Sequence, residues 1–326
     1  MSGSRTETPI PCPVCETVAR LIREEPAESL REDLAGHFGT RVGLDRVEIS
    51  SYQLLKCPEC TLEFANPMKP GSSSFYEWVC RQPGYYPPDR WEYAQFDEMV
   101  REVTAGGRPF RVLDVGCGSG RFLKRMKESF GEKVECTGVD ITPGALSQAG
   151  DCGIQFILGD HRELDPKSLE PFDLVTSFHC LEHVEDPRGF VSAMTQFARP
   201  DGKISVSTPL SPMSFEFEWD AIMNRPPHHM SRWNEKAYRS LGNRLGLSTE
   251  FHSERAASVL GRTSNSTVKA VAGYNRSLSK TARYGILLAN PLRALRHLRY
   301  QMSRPTLNGR PRGEDILVIF RGGSAS

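Results

Sequence analysis

"VLDVGCGSG", residues 112–120, places three glycines within five positions directly after an apolar run. The run reads as a buried strand, and "RFLKRMKESF" after it sets Phe122, Met126 and Phe130 at helical spacing. Glycine lacks a Cβ, so it permits a tight strand-to-helix turn and lets a ligand lie against backbone amides. A strand, a glycine loop and a helix in that order point to an α/β chain with a ligand at the loop.

The flanking sequence continues the alternation. "VECTGVD", "GIQFILGD" and "FDLVTSF" read as strands, "RGFVSAMTQFA" as a helix, "RPDG" as a turn and "KISVST" as a further strand. Such alternation builds parallel βαβ units and a doubly wound sheet. The glycine pattern is G-x-G-x-G, and Arg121 stands where a dinucleotide-binding loop needs its last glycine, so dinucleotide binding is demoted. Asp114 precedes the glycines, Asp140 ends the second strand and Asp160 closes the third. Ligands of open α/β sheets bind at those carboxyl ends, where Asp140 is placed to accept hydrogen bonds from ribose hydroxyls and Asp160 from an adenine amino group.

Four of the nine cysteines form two C-x-x-C pairs, Cys12 with Cys15 and Cys57 with Cys60. Two residues between thiolates let one turn present both sulfurs about 2.3 Å from a tetrahedral Zn²⁺, so the four predict a structural zinc ribbon. Four sulfurs leave no open position for a substrate. "SYQLL" before the second pair reads as a strand, and "ETVARLIREEPAESLREDL" between the pairs reads as an inserted helix. The remaining cysteines, 80, 117, 136, 152 and 180, are scattered and read as buried small hydrophobes.

With "VLDVGCGSG", "TGVDIT", "ILGD", "FDLVTSFHCLEHVEDP" and "RPDGKISVSTP" in order, the chain resembles the class I S-adenosylmethionine-dependent methyltransferases over roughly residues 90–260, with "GEDILVIFRG" as a final antiparallel strand. The resemblance implies a Rossmann-like sheet of seven strands. It also implies a S-adenosylmethionine site of Asp114, Gly116, Cys117, Gly118, Gly120, Asp140, Ile141, Gly159, Asp160, His161 and Phe178. The ribbon together with "PPHHMSRW" is similar to a bacterial subgroup that includes zinc-containing sugar C-methyltransferases.

Methyl transfer needs an aligned nucleophile and, for many acceptors, a base. "FHCLEHV" puts His179, Glu182 and His183 just past the fourth strand, on the cofactor rim. His183 is the first candidate for base, by likeness to the sugar C-methyltransferases, with Glu182 orienting it or binding substrate. His228 and His229 follow the fifth strand and complete the acceptor-side candidates, ahead of a helix that Asn234 caps and that carries Tyr238, Leu241 and Leu245. The H-x-x-E-H order departs from the E-x-x-E-H of metal-dependent O-methyltransferases, so no catalytic metal is expected there.

From Arg262 to Arg312 there are eleven Lys and Arg and no Asp or Glu. "NPLRALRHLRYQM" within it reads as a cationic amphipathic helix that sets Leu292, Leu295 and Met302 against Arg293, Arg296, His297 and Arg299, and packing of its apolar face on the core is as good a reading as any specific role. Its roles, if any, are to grip a diphosphate, an anionic membrane surface or an RNA backbone. The expected organisation is a zinc ribbon at 1–70, a linker and covering helix at 71–105, the cofactor core at 106–260, a basic helical insertion at 261–312 and a last strand and tail at 313–326. The net charge of +1 forecasts no polyanion partner for the whole chain, and the N-terminus shows neither a signal-peptide core nor an 18-residue apolar stretch, so a cytoplasmic protein is expected. The leading expectation is a methyltransferase acting on a small molecule, such as a nucleotide- or lipid-linked sugar or another secondary metabolite. An RNA methyltransferase and a non-catalytic S-adenosylmethionine binder are the alternatives; against the former, the ribbon's charges are balanced and no N-P-P-Y motif is present. Oligomeric state is not legible.

Overall fold

The computed structural model describes residues 9–82, 89–142, 153–218, 222–273 and 278–322. Cys152 lies outside them. Three short strands, β1 (Arg20–Glu25), β2 (Tyr52–Lys56) and β3 (Glu63–Asn66), pair antiparallel in sequence order. A helix α1 (Ala27–Phe38) joins the first two, with Leu30, Leu34 and Ala35 buried. The inserted helix was expected to begin before Arg20. Instead, the backbone of Arg20–Glu25 is used by the β2 ladder, and the helix starts only after Pro26, which occupies its N-cap. After the short helix α2 (Ser73–Cys80) and α3 (Asp97–Ala105), the chain enters the large sheet.

That sheet contains β4 (Phe110–Val115), β5 (Val134–Asp140), β6 (Ile154–Leu158), β7 (Phe172–Phe178) and β8 (Ala198–Pro209). These five are parallel in the order β8-β7-β4-β5-β6, with the switch of direction between β4 and β7. Every residue of β7 is buried, the pattern expected of a strand covered on both faces. Helix α4 (Arg121–Phe130) lays Phe122, Leu123 and Met126 on one face, and α5 (Pro187–Thr195) buries Phe190, Val191 and Met194. The "RPDG" segment is not a free turn: it is an irregular arm of β8, with Phe172 opposite Ala198 and Leu174 already opposite Lys203.

Two residues, β9 (Ser231–Arg232), pair with β3, so the small sheet takes its fourth strand from a segment beyond β8. Helix α6 (Glu235–Leu245) then begins at Asn234, whose side chain accepts the Ala237 N–H at 3.0 Å. Strand β10 (Leu247–Arg255) reaches the far edge of the large sheet. Helices α7 (Val259–Ala272), α8 (Lys280–Ala289) and α9 (Pro291–Ser303) follow, and a short β11 (Thr306–Leu307) leads into β12 (Arg310–Gly322), antiparallel to both β8 and β10. The path is seven strands with the expected antiparallel last strand, plus β11 at its margin.

In α9 the charged face is outward as the amphipathic pattern has it at Arg296 and Arg299, but the buried side is polar. Leu292, Leu295 and Met302 are exposed, whereas His297 and Gln301 are buried against α7. Polar contacts decide this: the His297 Nδ1 meets Ser266 Oγ at 3.0 Å, and the Gln301 amide donates to the Ser214 carbonyl at 2.5 Å. No helix among the described residues is long and apolar enough to cross a membrane.

Candidate functional site

The glycine loop sits at the carboxyl end of β4 with Gly116, Gly118 and Gly120 all at positive φ, +71°, +52° and +70°. The three are there for different reasons. A Cβ on Gly116 would stand 2.7 Å from the Cys180 sulfur, and one on Gly120 would stand 2.7 Å from the Phe156 ring. Those two admit protein neighbours. Only Gly118 faces open space, and its N–H donates to Asp140 Oδ2 at 2.8 Å. Asp140 Oδ1 accepts the Thr142 N–H, so the carboxylate is held at the rim of the loop. Beneath it, Asp114 is buried and accepts from Thr176 Oγ1 at 2.8 Å; burial, only partly offset by that hydroxyl, pushes its carboxyl up to about 8. Phe178 closes the inner side, edge-on to Phe122 and Tyr93. Ile141 is exposed beside the rim, and Gly159, φ +155°, has nothing near its Cβ position.

Asp160 and His161 are differently employed. Asp160 forms an ion pair with the Arg162 guanidinium at 2.6 Å and caps the turn that follows, and these bonds hold its carboxyl below the usual range. His161 is buried, its Nε2 3.1 Å from the Phe190 carbonyl, and braces α5.

Past β7 the histidines split into two groups. His179, at positive φ, points its Nε2 to Glu92 Oε1 at 2.9 Å and its Nδ1 to Glu182 Oε1 at 3.5 Å. Burial alone would lower its pKa, but the two carboxylates overcome that and hold it up at about 9. His183 turns the other way and joins His228 and His229, with ring centroids 4.7 and 4.8 Å from them and 4.4 Å between those two. Each of the three uses Nδ1 on an oxygen acceptor: His183 on the His228 carbonyl at 2.6 Å, His228 on the Met223 carbonyl at 2.8 Å, and His229 on Asn224 Oδ1 at 2.8 Å. Burial lowers the pKa of all three and so favours the neutral imidazole. Tyr76 on α2 donates to the same His228 carbonyl at 3.3 Å.

The four cysteines of the C-x-x-C pairs converge with their sulfurs within 4.8 Å of one another, all buried. Each knuckle closes on a residue at positive φ, Glu16 after Cys15 and Thr61 after Cys60, and the Cys60 N–H donates to Cys57 Sγ at 3.4 Å. Four buried thiols converging in this way have the chemistry of a tetrahedral zinc set.

Residues 89–250 match a family described as a methyltransferase domain. The chain carries a methyltransferase domain. Among curated relatives, the malonyl-[acyl-carrier protein] O-methyltransferase of Hahella chejuensis is 31% identical over 131 residues, 38% of this chain and 46% of that protein. The ubiquinone biosynthesis O-methyltransferase of Salmonella paratyphi A is 35% identical over 115 residues, 33% of this chain and 46% of that protein. The chain thus spans about half the length of the first curated relatives it matches. Of solved structures, a SAM dependent methyltransferase from Archaeoglobus fulgidus is 17% identical with a TM-score of 0.44, covering 76% of this chain and 97% of that one. The plantazolicin methyltransferase with SAH and a desmethylPZN analog is 14% identical with a TM-score of 0.44, covering 70% and 82%.

Within the methyltransferase domain, the structure brings Gly118, Asp140, Asp114 and Phe178 to one loop and sets His183, His228 and His229 on a separate wall. Cys180, one residue after His179, stands against Gly116. Sequence reasoning did not find Glu92, Tyr76, Asn224 or Thr176. Glu92 and Tyr76 did lie within residues 71–105, read as a linker and covering helix. Asn224 had no such signal.

Proposed function

We propose that the domain binds S-adenosylmethionine at the glycine loop and transfers its methyl group to a small-molecule acceptor held against the histidine wall. One observation carries the cofactor assignment. Gly118 presents bare backbone to open space, with the Asp140 carboxylate fixed at its edge, as a nucleoside needs for its sugar hydroxyls. In this reading Asp140 takes the ribose, Gly116, Cys117, Gly118 and Gly120 shape the methionine side with Asp114, and Ile141, Gly159, Asp160, His161 and Phe178 frame the adenine end. Asp160 does so through the oxygens it shares with Arg162, and His161 only by bracing α5.

The acceptor side is His183, His228 and His229, with Glu182 behind them and His179 locked between Glu92 and Glu182 as a positioning residue. Nδ1 of His183 donates to a carbonyl, so its lone pair is on Nε2. In its simplest form the reading makes that nitrogen the base. The enclosure of these rings favours a small acceptor over a nucleic acid, since His228 and His229 are buried. The four cysteines hold a structural Zn²⁺ that supplies folding energy to the small sheet.

Titration calorimetry with S-adenosylmethionine and with NAD tests the first step. Heat with the former alone, reduced at least tenfold in affinity by Asp140→Ala, is expected. No heat from S-adenosylmethionine ends the reading.

A further inference from the structure

The geometry points to a second metal centre: His183, His228 and His229 together bind one divalent transition-metal ion of the zinc class. The sequence argued against a metal on the strength of His179, Glu182 and His183 alone. The structure regroups these residues, sending His179 away to Glu92 and bringing His183 to two histidines from another loop.

One ring nitrogen from each of the three lies within 4.8 Å of one from each of the others. A tetrahedral ion with metal–nitrogen bonds of about 2.0–2.1 Å requires about 3.3 Å between ligand nitrogens, so a bound ion would draw the three rings together. The tautomers agree with this. The His228 and Met223 carbonyls can only accept, so the Nδ1 of His183 and of His228 carries the proton. For His229 the acceptor is Asn224 Oδ1, and the amide is fixed in that sense because its Nδ2 donates to Glu216 and to the Met213 sulfur. Every ring therefore presents Nε2 as its remaining nitrogen, with Nδ1–H anchored on an oxygen. Metal-bound histidines are oriented by that same outer contact.

A second observation is independent of the rings. Glu182 is buried, its Oε1 is 3.9 Å from His229 Nε2, and its Oε2 has no hydrogen-bond partner among the described residues. A carboxylate oxygen taken out of water without a partner is costly, and a cation seated among the adjacent imidazoles would relieve it. Three neutral nitrogens select borderline ions such as Zn²⁺, Co²⁺ or Ni²⁺ over Mg²⁺ or Ca²⁺, and three ligands leave a fourth position open. His183 is the least buried of the three, so that position is reached from its side. The use of this site, holding an oxygen- or nitrogen-bearing acceptor on the metal, rests on the methyltransferase reading above and makes the Nε2 of His183 a ligand in place of a base; the existence of the site does not rest on that reading.

Cobalt is the probe. The purified full chain, loaded with Zn²⁺, is expected to hold two equivalents. Mild chelation should remove one, and added Co²⁺ should restore it with weak visible bands and no thiolate charge-transfer band, because that band belongs to a cysteine site. His229→Ala and, separately, His183→Gln should each hold one equivalent and lose the visible bands. S-adenosylmethionine binding, measured on the same samples by calorimetry, should survive both substitutions, which separates this site from the cofactor assignment. A wild-type protein that saturates at one equivalent overturns the proposal, whatever the fate of the variants. A second equivalent that persists in both variants overturns it as well.

Discussion

Replacing the three loop glycines one at a time with alanine separates their roles, because the surroundings of each Cβ are so different. All three have positive φ, where an L-residue costs roughly 1–2 kcal/mol. For Gly118→Ala this strain is the whole cost, since nothing stands within 4 Å of the new methyl. Part of it is offset by the stiffer unfolded chain, roughly 0.4–1 kcal/mol, leaving a loss of about 1 kcal/mol. In Gly120→Ala the methyl would also stand 2.7 Å from the Phe156 ring, in Gly116→Ala 2.7 Å from the Cys180 sulfur. Overpacking of that kind adds about 1–3 kcal/mol. A domain of this size loses about 2–4 °C in Tm per kcal/mol, so Gly118→Ala should fall by about 2–4 °C and the other two by roughly twice to four times as much. Ligand affinity should run the opposite way relative to stability. The methyl on Gly118 occupies an open face of the loop, and a weakening of S-adenosylmethionine binding by at least tenfold, about 1.4 kcal/mol, is expected. Thermal melts and calorimetry read the two quantities. Gly118→Ala with wild-type affinity would refute the placement of the cofactor, and equal Tm losses across the series would refute the division between packing and open glycines.

Asp114 gives a pH signature. Its folded pKa of about 8 lies above the unfolded value of about 3.9, so the folded state holds the extra proton between them. The contribution of Asp114 itself should be full below about pH 4 and be lost as pH rises toward 8, so the stability difference between wild type and Asp114→Asn, read by denaturant unfolding at each pH, should shift in favour of the variant over that range; a constant difference would refute it. Asp173 runs in the other direction. Burial pushes its carboxyl up, but Arg108 at 2.6 Å, the Arg111 N–H at 2.8 Å and Arg199 at 2.9 Å more than offset it and hold it below the usual range. Its contribution is present above about pH 4 and is lost as pH falls further. Asp173→Ala should cost about 2–3 kcal/mol at neutral pH, less than for a fully buried pair because both arginines are part-exposed, and a change under 1 kcal/mol in a denaturant titration would exclude the network as a support. Cys57→Ser should abolish the thiolate charge-transfer band of the cobalt-substituted protein; a retained band at full intensity would disprove the four-cysteine site.

The large sheet was legible because its strands are buried on both faces and so read as apolar runs, as in "VLDV" and "FDLVTSF", while its helices keep a clean stripe such as Phe122, Leu123 and Met126. The cysteine pairs were legible for a different reason: two-residue spacing is a local geometric condition. What failed were judgements in which tertiary partners override local pattern. Arg20–Glu25 is polar enough for a helix surface, yet its backbone completes the β2 ladder. Residues 292–302 have a textual amphipathic face, but His297 and Gln301 find polar partners in Ser266 and Ser214, and that turns the leucines outward. The carboxylate order at the strand ends was read correctly as a placement; the pairing of Asp160 with Arg162, two residues away, was not considered.

The histidine wall was half legible, and the missing half explains the architecture. His179 and His183 flank Glu182 in sequence, but the left-handed backbone at His179 sends its ring to Glu92, and only the fold brings His183 to residues some forty-five positions away. The segment bearing His228 and His229 is fixed from the small sheet. Arg225 pairs with Glu25 at 2.6 Å and Asp33 at 2.8 Å, the Ala65 N–H donates to the Met230 carbonyl at 2.8 Å, and β9 completes that sheet one residue later. The Met230 N–H in turn donates to the Glu182 carbonyl at 2.7 Å, tying the segment to the turn after β7. The glycine loop, by contrast, is shaped by β4, β5 and their neighbours in the large sheet. Two sheets therefore order the two halves of the proposed site: the parallel sheet shapes the glycine loop, and the cysteine-knuckled sheet, through β9, fixes where two of the three imidazoles stand. A ribbon of this kind does not need to touch a ligand to matter for one: with zinc on its four cysteines, as proposed, chelation would loosen the strand that holds His228 and His229 while leaving Gly118 and Asp140 in place.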